Sequence, residues 1–498
     1  MEQISVLVVT DDIEKFDFDL PDYLKIIVWN DKLADTKEYC AILVLDKNIS
    51  NTQFDVLSRI IRAYTVFCLD TFDVDALTKK FIELKIGQVL PFLELEIFLK
   101  NSAKNYYLEE YGEKFTPGNV GIAQGFMGSV KWLGQYEVCI EGDYGQSFNQ
   151  IAFWRNNIPV EPGQAIDIWL EYIHDNTVEI QLKVRKIISG SVADISNEWV
   201  FSEEDMKQEV TLDNDDVPGS FFFSISAKGH GKLEIIALHD RHSRRGLGCF
   251  MVGGKRHVTS VREEIFTYFD PGDMKPPLAV YFSGYKTKQG FEGYHMMRKL
   301  GCPFLLVSEQ RFEGGGFYMG SDEYEGLMVD IIKGYLKQLK FYPEQLILSG
   351  ISMGSIASMY YGCDLRPHAL ILGKPLASLG DIAENERLNR PGGFATSLDL
   401  LHHFGHSMDR VGIESLNNKF WNKIRKTNFS HTKFIVSYMI EDDYDRTAYD
   451  RLLSELNSDG VQVYGKGLHG RHNDNSAGIS AWFKGQYDKI MREDFGRK

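Results

Sequence analysis

The chain of 498 residues carries six cysteines and no C-x-x-C pair among them. That scatter excludes a zinc ribbon and offers no disulfide frame. Cys68 sits inside the apolar run Val66-Phe-Cys-Leu69, where a buried thiol of a reducing compartment belongs. No uninterrupted apolar run approaches the length of a membrane span. The start, Met1-Glu-Gln-Ile-Ser-Val-Leu-Val-Val, has neither a basic n-region nor a cleavage site, and it reads as a strand. Positive charge is also short: Lys+Arg 55 against Asp+Glu 70 gives a net charge of −15. Such a surface repels nucleic acid and anionic membrane on average. A cytoplasmic protein with no nucleic-acid partner is expected. Phosphate-binding loops are missing as well. The turn Thr10-Asp-Asp-Ile after the first strand lacks a glycine fingerprint, and no G-K-[ST] follows the triple glycine at 314–316.

What is present divides the length into about three domains. The fold class expected is a multidomain α/β protein: a Rossmann-like N-terminal domain, an inserted antiparallel β-sandwich and a C-terminal α/β-hydrolase domain. Residues 1–115 alternate strand and helix patterns, with strands Ile4–Val9, Ile26–Trp29, Ala41–Leu45 and Thr65–Leu69, which is the logic of a parallel sheet. Residues 118–240 change texture to short alternating runs split by turn residues, the pattern of a sandwich. Aromatics are dense there (Trp132, Tyr136, Tyr144, Phe148, Phe153, Trp154, Trp169, Tyr172), so the domain either stacks on sugars or partners or fills its own core. Residues 241–276, with Arg241-His-Ser-Arg-Arg-Gly and Gly253-Gly-Lys-Arg-His, read as a basic, glycine-rich linker. Residues 277–498 return to strand–helix alternation, with a looser segment over 380–430, and predict a doubly wound sheet.

In that last domain Leu346–Leu348 is an apolar strand leading into Gly350-Ile-Ser-Met-Gly354, and a helical pattern follows. Strand, sharp turn, helix is the context that gives G-x-S-x-G its meaning, and the pattern alone is weak in a chain with 45 glycines. The turn lifts the Ser352 hydroxyl above the sheet and aims the Met353 amide at a developing oxyanion. A serine needs a base, and the base needs an orienting acid. Chain order puts the acid in Glu441-Asp-Asp-Tyr-Asp445, just past a later strand. Asp442 is the choice, with Glu441 or Asp443 taking over if the turn slips by one. The base lies in Gly467-Leu-His-Gly-Arg-His-Asn473, with His472 preferred and His469 in reserve. The second oxyanion donor is expected from the amide of Tyr285 or Gly284, and the loop Arg311-Phe-Glu-Gly-Gly-Gly-Phe-Tyr318 should wall the pocket. His402 and His406 stand four apart, but no Glu lies between them as in H-E-x-x-H and Gly405 weakens the helix, so no metal site is expected.

These features together (the Rossmann-like start, the inserted β domain, Gly-Ile-Ser-Met-Gly-Ser, Tyr-Met-Ile-Glu-Asp-Asp-Tyr-Asp and Gly-Arg-His-Asn) resemble, over essentially the full length, the second of the accessory Sec system proteins. Those proteins serve the export of serine-rich-repeat glycoprotein adhesins in streptococci and staphylococci. The resemblance implies O-acetylation of N-acetylglucosamine on the adhesin before export, with Ser352 as nucleophile, His472 as base and Asp442 as orienting acid. It implies other accessory Sec proteins and the accessory SecA-type motor as partners, and membrane association only peripherally through the translocase. No bound cofactor is expected, only an acetyl donor as co-substrate. Composition and spacing do not separate acetyl transfer from a serine carboxylesterase or deacetylase, which differ in whether a sugar hydroxyl or water attacks the acyl-enzyme. A non-catalytic transport adaptor on a hydrolase fold is the third reading.

Overall fold

The computed structural model describes residues 3–30, 41–214, 217–456 and 460–497. The N-terminal strands Ile4–Val9, Leu24–Val28, Ala41–Leu45, Val66–Leu69 and Gln88–Leu90 make one five-stranded parallel sheet, in the doubly wound order 2-1-3-4-5. Helices Asn51–Ile60 and Ala76–Leu84 are its crossovers, each N-capped by a side chain, Ser50 and Asp75. Cys68, Cys139, Cys302 and Cys363 are buried, Cys249 is half-buried and all five are free thiols; Cys40 lies outside the described residues.

The middle region is antiparallel, and hydrogen bonds join its ten strands into one continuous sheet. Two strands are unusually long, Glu137–Trp154 and Gly219–His242. The first half of Gly219–His242 pairs with strand Val178–Ile188, and its second half pairs with Ala165–His174. The change of partner falls at a bend. The register against Glu137–Trp154 slips there, and Gly229 and Gly231 take φ of +91° and +133°, backbone that glycine enters without a Cβ clash. Both halves bury their inner faces in a common core that includes Trp154, Leu170, Leu182, Ile225 and Ile235. Of the dense aromatics, Tyr144, Trp154 and Tyr172 are buried in this core and Trp169 is buried beneath Arg256 and Arg262, whereas Trp132 stays 47% exposed.

The largest sheet has eight strands: Lys255–Val258, Glu264–Asp270, Leu278–Phe282, Phe304–Ser308, Leu346–Ile351, Ala369–Gly373, Lys433–Met439 and Gln462–Leu468. Counted in chain order, they lie 1-2-4-3-5-6-7-8, with the second antiparallel to its neighbours and the remainder parallel. This is the α/β-hydrolase arrangement, and it corrects one expectation. Residues 241–276 are not a solvated linker, because they supply the first two strands of this sheet. Two basic residues of that stretch, Arg241 and Arg256, are paired with carboxylates inside the fold. Arg241 lies buried between Glu264, at 2.6 Å, and Glu209, at 2.5 Å, and Arg256 also reaches Glu264 at 2.5 Å. Glu264 is held far below the usual carboxylate range, because Arg241 and Arg256 outweigh the burial that would otherwise raise it.

The segment 380–430, expected to be looser, holds three helices, Leu379–Leu388, Thr396–Gly405 and Arg410–Arg425. Their close crossings hide the periodicity. A Cβ on Gly380 would fall 2.3 Å from the Ile413 carbonyl, and one on Gly405 would fall 2.9 Å from that of Gly412. Among the described residues, no helix is long and apolar enough to cross a membrane.

Candidate active site

Ser352 follows the central strand Leu346–Ile351, which lies between Leu278–Phe282 and Ala369–Gly373. All three strands are apolar and buried, so the sheet is rigid where the turn leaves it. Ser352 has φ 55° and ψ −117°, a conformation that is costly for a residue with a Cβ. Surrounding contacts enforce it. The Ser352 amide donates to the Gly373 carbonyl at 2.8 Å, and the Ser355 hydroxyl donates back to the Ser352 carbonyl at 2.6 Å. The flanking glycines are sterically required: a Cβ on Gly350 would meet the Gly354 carbonyl at 2.3 Å, and one on Gly354 would meet the Phe282 carbonyl at 2.1 Å. Helix Met353–Leu365 starts immediately, presenting its N-terminal amides toward the space above the serine.

The acid and base candidates come from the two loops expected to carry them. His472 lies between strand Gln462–Leu468 and helix Ser476–Glu493, and Asp442 follows strand Lys433–Met439. Ser352 Oγ stands 2.8 Å from His472 Nε2, and His472 Nδ1 stands 2.8 Å from Asp442 Oδ2. His472 and Asp442 are 2% and 6% exposed, whereas Ser352 is only half-buried, so a substrate reaches the hydroxyl and water does not reach the relay behind it. Burial alone would raise the Asp442 carboxyl, but hydrogen bonding and charge from His472, with amides of Tyr444 and Asp445 at 2.8 and 3.1 Å, hold it below its ordinary value. Asp442 is therefore ionised beside the imidazole.

The competing residues are occupied elsewhere. His469, on the surface, pairs with Glu441 at 2.9 Å, and the Glu441 carboxylate also takes the Gly470 amide. Asp443 accepts from the His472 amide at 3.0 Å and meets Arg390 at 3.3 Å, so it fixes the loop and not the ring. Tyr444 packs on the imidazole, with ring centroids 4.6 Å apart.

On the oxyanion side one expectation is corrected. The Gly284 amide donates to Glu292 at 2.7 Å and is not available to a reacting oxygen. The neighbouring carboxylate, eight residues further on, is a tertiary contact that the strand pattern does not reveal. That leaves the amides of Met353 and Tyr285. The glycine loop does wall this space: a Cβ on Gly314 would strike the Tyr285 ring at 2.3 Å, and one on Gly315 would strike the Met353 sulfur at 2.5 Å. Two further residues shape the site without a motif to announce them. Glu309 takes the amides of Gly316 and, at 3.1 Å, Tyr318, and it binds Arg311 at 2.8 Å, clamping the loop from below. Lys374, with φ +49°, ties the loop carrying His472 by donating to the Asp474 carbonyl at 2.8 Å and the Ser476 hydroxyl at 3.2 Å.

A family model described as the accessory Sec system GspB-transporter matches residues 3–497. The chain belongs to this accessory Sec family. It is 42% identical over 462 residues to the family's accessory Sec system protein from Streptococcus gordonii, covering 92% of this chain and 90% of that one. It is 37% identical over 449 residues to the corresponding accessory Sec system protein of Staphylococcus aureus, covering 90% and 86%. Among solved structures, it is similar to a chain of the Glycosylation Associate Protein (Gap123) complex from Streptococcus agalactiae. The TM-score is 0.86 at 35% identity, with all of both chains covered. Within this accessory Sec family member the arrangement offers a hydroxyl, a base within hydrogen-bond reach, an ionised acid behind the base and amides in front, the parts needed for acyl transfer through a serine ester.

Proposed function

We propose that this chain is a serine-dependent O-acetyltransferase of the accessory Sec system, acting on N-acetylglucosamine of serine-rich-repeat glycoprotein adhesins and supporting their export. The reading is supported above all by the Ser352–His472–Asp442 relay, with both of its contacts at 2.8 Å. In the first half-reaction Ser352 Oγ attacks the acetyl carbonyl of the donor while His472 Nε2 takes the hydroxyl proton. The tetrahedral oxyanion accepts hydrogen bonds from the Met353 and Tyr285 amides, and His472 returns the proton to the departing donor group. In the second half a sugar hydroxyl attacks the acetyl-serine, giving its proton to His472 Nε2; His472 passes that proton to Ser352 Oγ as the acyl–Oγ bond breaks, and the sugar leaves as its acetyl ester. Asp442 keeps the Nδ1–H tautomer throughout and stabilises the imidazolium.

The protein acts in the cytoplasm, beside other accessory Sec proteins and the accessory SecA-type motor, and meets the membrane only through the translocase. The β domain, with Trp132 exposed, is assigned the holding of glycoprotein or partner. Co-expression of an adhesin with wild type or Ser352→Ala, followed by intact mass analysis, tests the reading. Acetyl increments that disappear in the variant while export persists support an enzyme with a separable transport role. Increments unchanged in the variant remove the enzymatic reading. Acetate release without sugar acetylation favours the esterase.

A further inference from the structure

The hairpin joining strands Ser129–Leu133 and Glu137–Trp154 of the β domain ends in Gly134-Gln-Tyr136, and this tip reaches into the hydrolase region. Its contacts are specific. Gly134 has φ +59°, backbone that favours glycine, and lies so close that a Cβ there would fall 1.8 Å from Asp399 Oδ1. The Gln135 amide donates to that same oxygen at 3.2 Å. The Tyr136 ring stacks on Phe312, with centroids 4.2 Å apart at 19°, and abuts His403 at 4.9 Å. Asp399 and His403 both lie on helix Thr396–Gly405.

Both of the tip's targets lead to the serine. Phe312 opens the loop whose Gly315 lies against Met353 and whose Gly314 lies against Tyr285. Thr396, at the start of the helix, donates to the Glu313 carbonyl at 3.0 Å and meets the Tyr285 hydroxyl at 3.4 Å. The loop does not hold its shape by local preference. Phe312, Phe317 and Tyr318 all have φ between 52° and 59°, backbone that side-chain-bearing residues keep only when neighbours impose it. Glu309 and Arg311 impose it from below, and Tyr136 presses from the β-domain side.

We infer that Tyr136 is a positioning residue for acyl transfer: the β-domain tip sets the loop 312–318 and Tyr285 against Met353, so the oxyanion site is complete only with that tip seated. The inference rests on the proposed serine chemistry. It makes the β domain a structural part of the active site as well as a binding module, and a route by which whatever occupies that domain alters turnover.

Steady-state turnover of p-nitrophenyl acetate by the full chain tests it. Ser352→Ala first establishes that turnover depends on the serine; turnover independent of Ser352 overturns the underlying serine reading and the inference with it. Given that dependence, Tyr136→Ala is expected to lower kcat by about tenfold or more, as small misplacements of positioning groups do, with KM within about twofold. Tyr136→Phe, which keeps the stack, is expected to retain wild-type kcat. Folded Tyr136→Ala with wild-type kcat, or a loss in Tyr136→Phe equal to that in Tyr136→Ala, overturns the positioning role alone. Should Tyr136→Ala not fold, Asp399→Ala, which removes the acceptor of the Gln135 amide, tests the same seat: lower kcat at unchanged KM supports the inference, and unchanged kcat overturns it.

Discussion

Asp442→Asn isolates the orienting acid, and the structure dictates how it fails. Asp442 Oδ1 receives two backbone amides, those of Tyr444 and Asp445. In the variant these donors hold the amide oxygen at that position, so the side-chain NH2 faces His472 Nδ1. Nδ1 must then accept, which moves the ring proton to Nε2. An Nε2–H donates to Ser352 Oγ and cannot take its proton. The wrong tautomer costs about 10⁴ in kcat, roughly 5 kcal/mol of barrier, while the packing is nearly unchanged. Single-turnover acylation by p-nitrophenyl acetate reads this directly, with the thermal midpoint as a check on folding. The neighbouring acids serve as controls. Asp443→Asn touches only the His472 amide and Arg390, and a loss of about tenfold at most is expected. Glu441→Gln, on the exposed His469 pair, should stay within about twofold. An Asp442→Asn protein that acylates at the wild-type rate, or a larger loss in Glu441→Gln, would refute the assignment.

Gly354→Ala is expected to destabilise the fold by about 3 kcal/mol or more, because its Cβ would meet the Phe282 carbonyl at 2.1 Å. Gly326→Ala, in an open helix position, should stabilise by about 0.5–1 kcal/mol; thermal midpoints moving in the same direction would contradict this. Arg241→Ala leaves buried Glu264 and half-buried Glu209 to share Arg256 alone and should cost about 3 kcal/mol in denaturant unfolding; a variant of wild-type stability would contradict this. Burial, then the Glu113 charge, push the Asp240 carboxyl up from 3.8 to about 7. The native state therefore holds a proton that the unfolded chain has already lost, and stability falls as pH rises through this window, by at most about 4 kcal/mol. Asp240→Asn should flatten that slope between about pH 4 and about pH 7, and an unchanged slope would show that the group is not responsible.

The parts of the site legible in the sequence were those whose geometry is local. The elbow is written in five residues, because two glycines are forced by a turn only five residues long. Asp442 and His472 were readable from chain order, since a parallel sheet delivers the ends of successive strands to one edge. What escaped was decided across long separations. Glu264–Asp270 is buried on every residue, yet its setting among arginines looked like a solvated connector, because Glu209 lies far upstream in sequence. The Gly284 amide looked free until Glu292 folded back onto it. The contact of Tyr136 with Phe312 joins two regions that no periodicity links. Aromatic density in the β domain was ambiguous for the opposite reason: composition cannot distinguish Trp154, buried in the core, or Trp169, buried beneath Arg256 and Arg262, from Trp132 on the surface.

The central claim is that His472 activates Ser352 as a nucleophile. Labelling the full chain with an organophosphonate and mapping the adduct by peptide mass measures this most directly. One adduct on the peptide bearing Ser352 is expected in wild type, formed far more slowly in His472→Ala and at the wild-type rate in His469→Ala. An adduct rate at Ser352 that is the same with and without His472, or no adduct in folded wild type, would contradict the account.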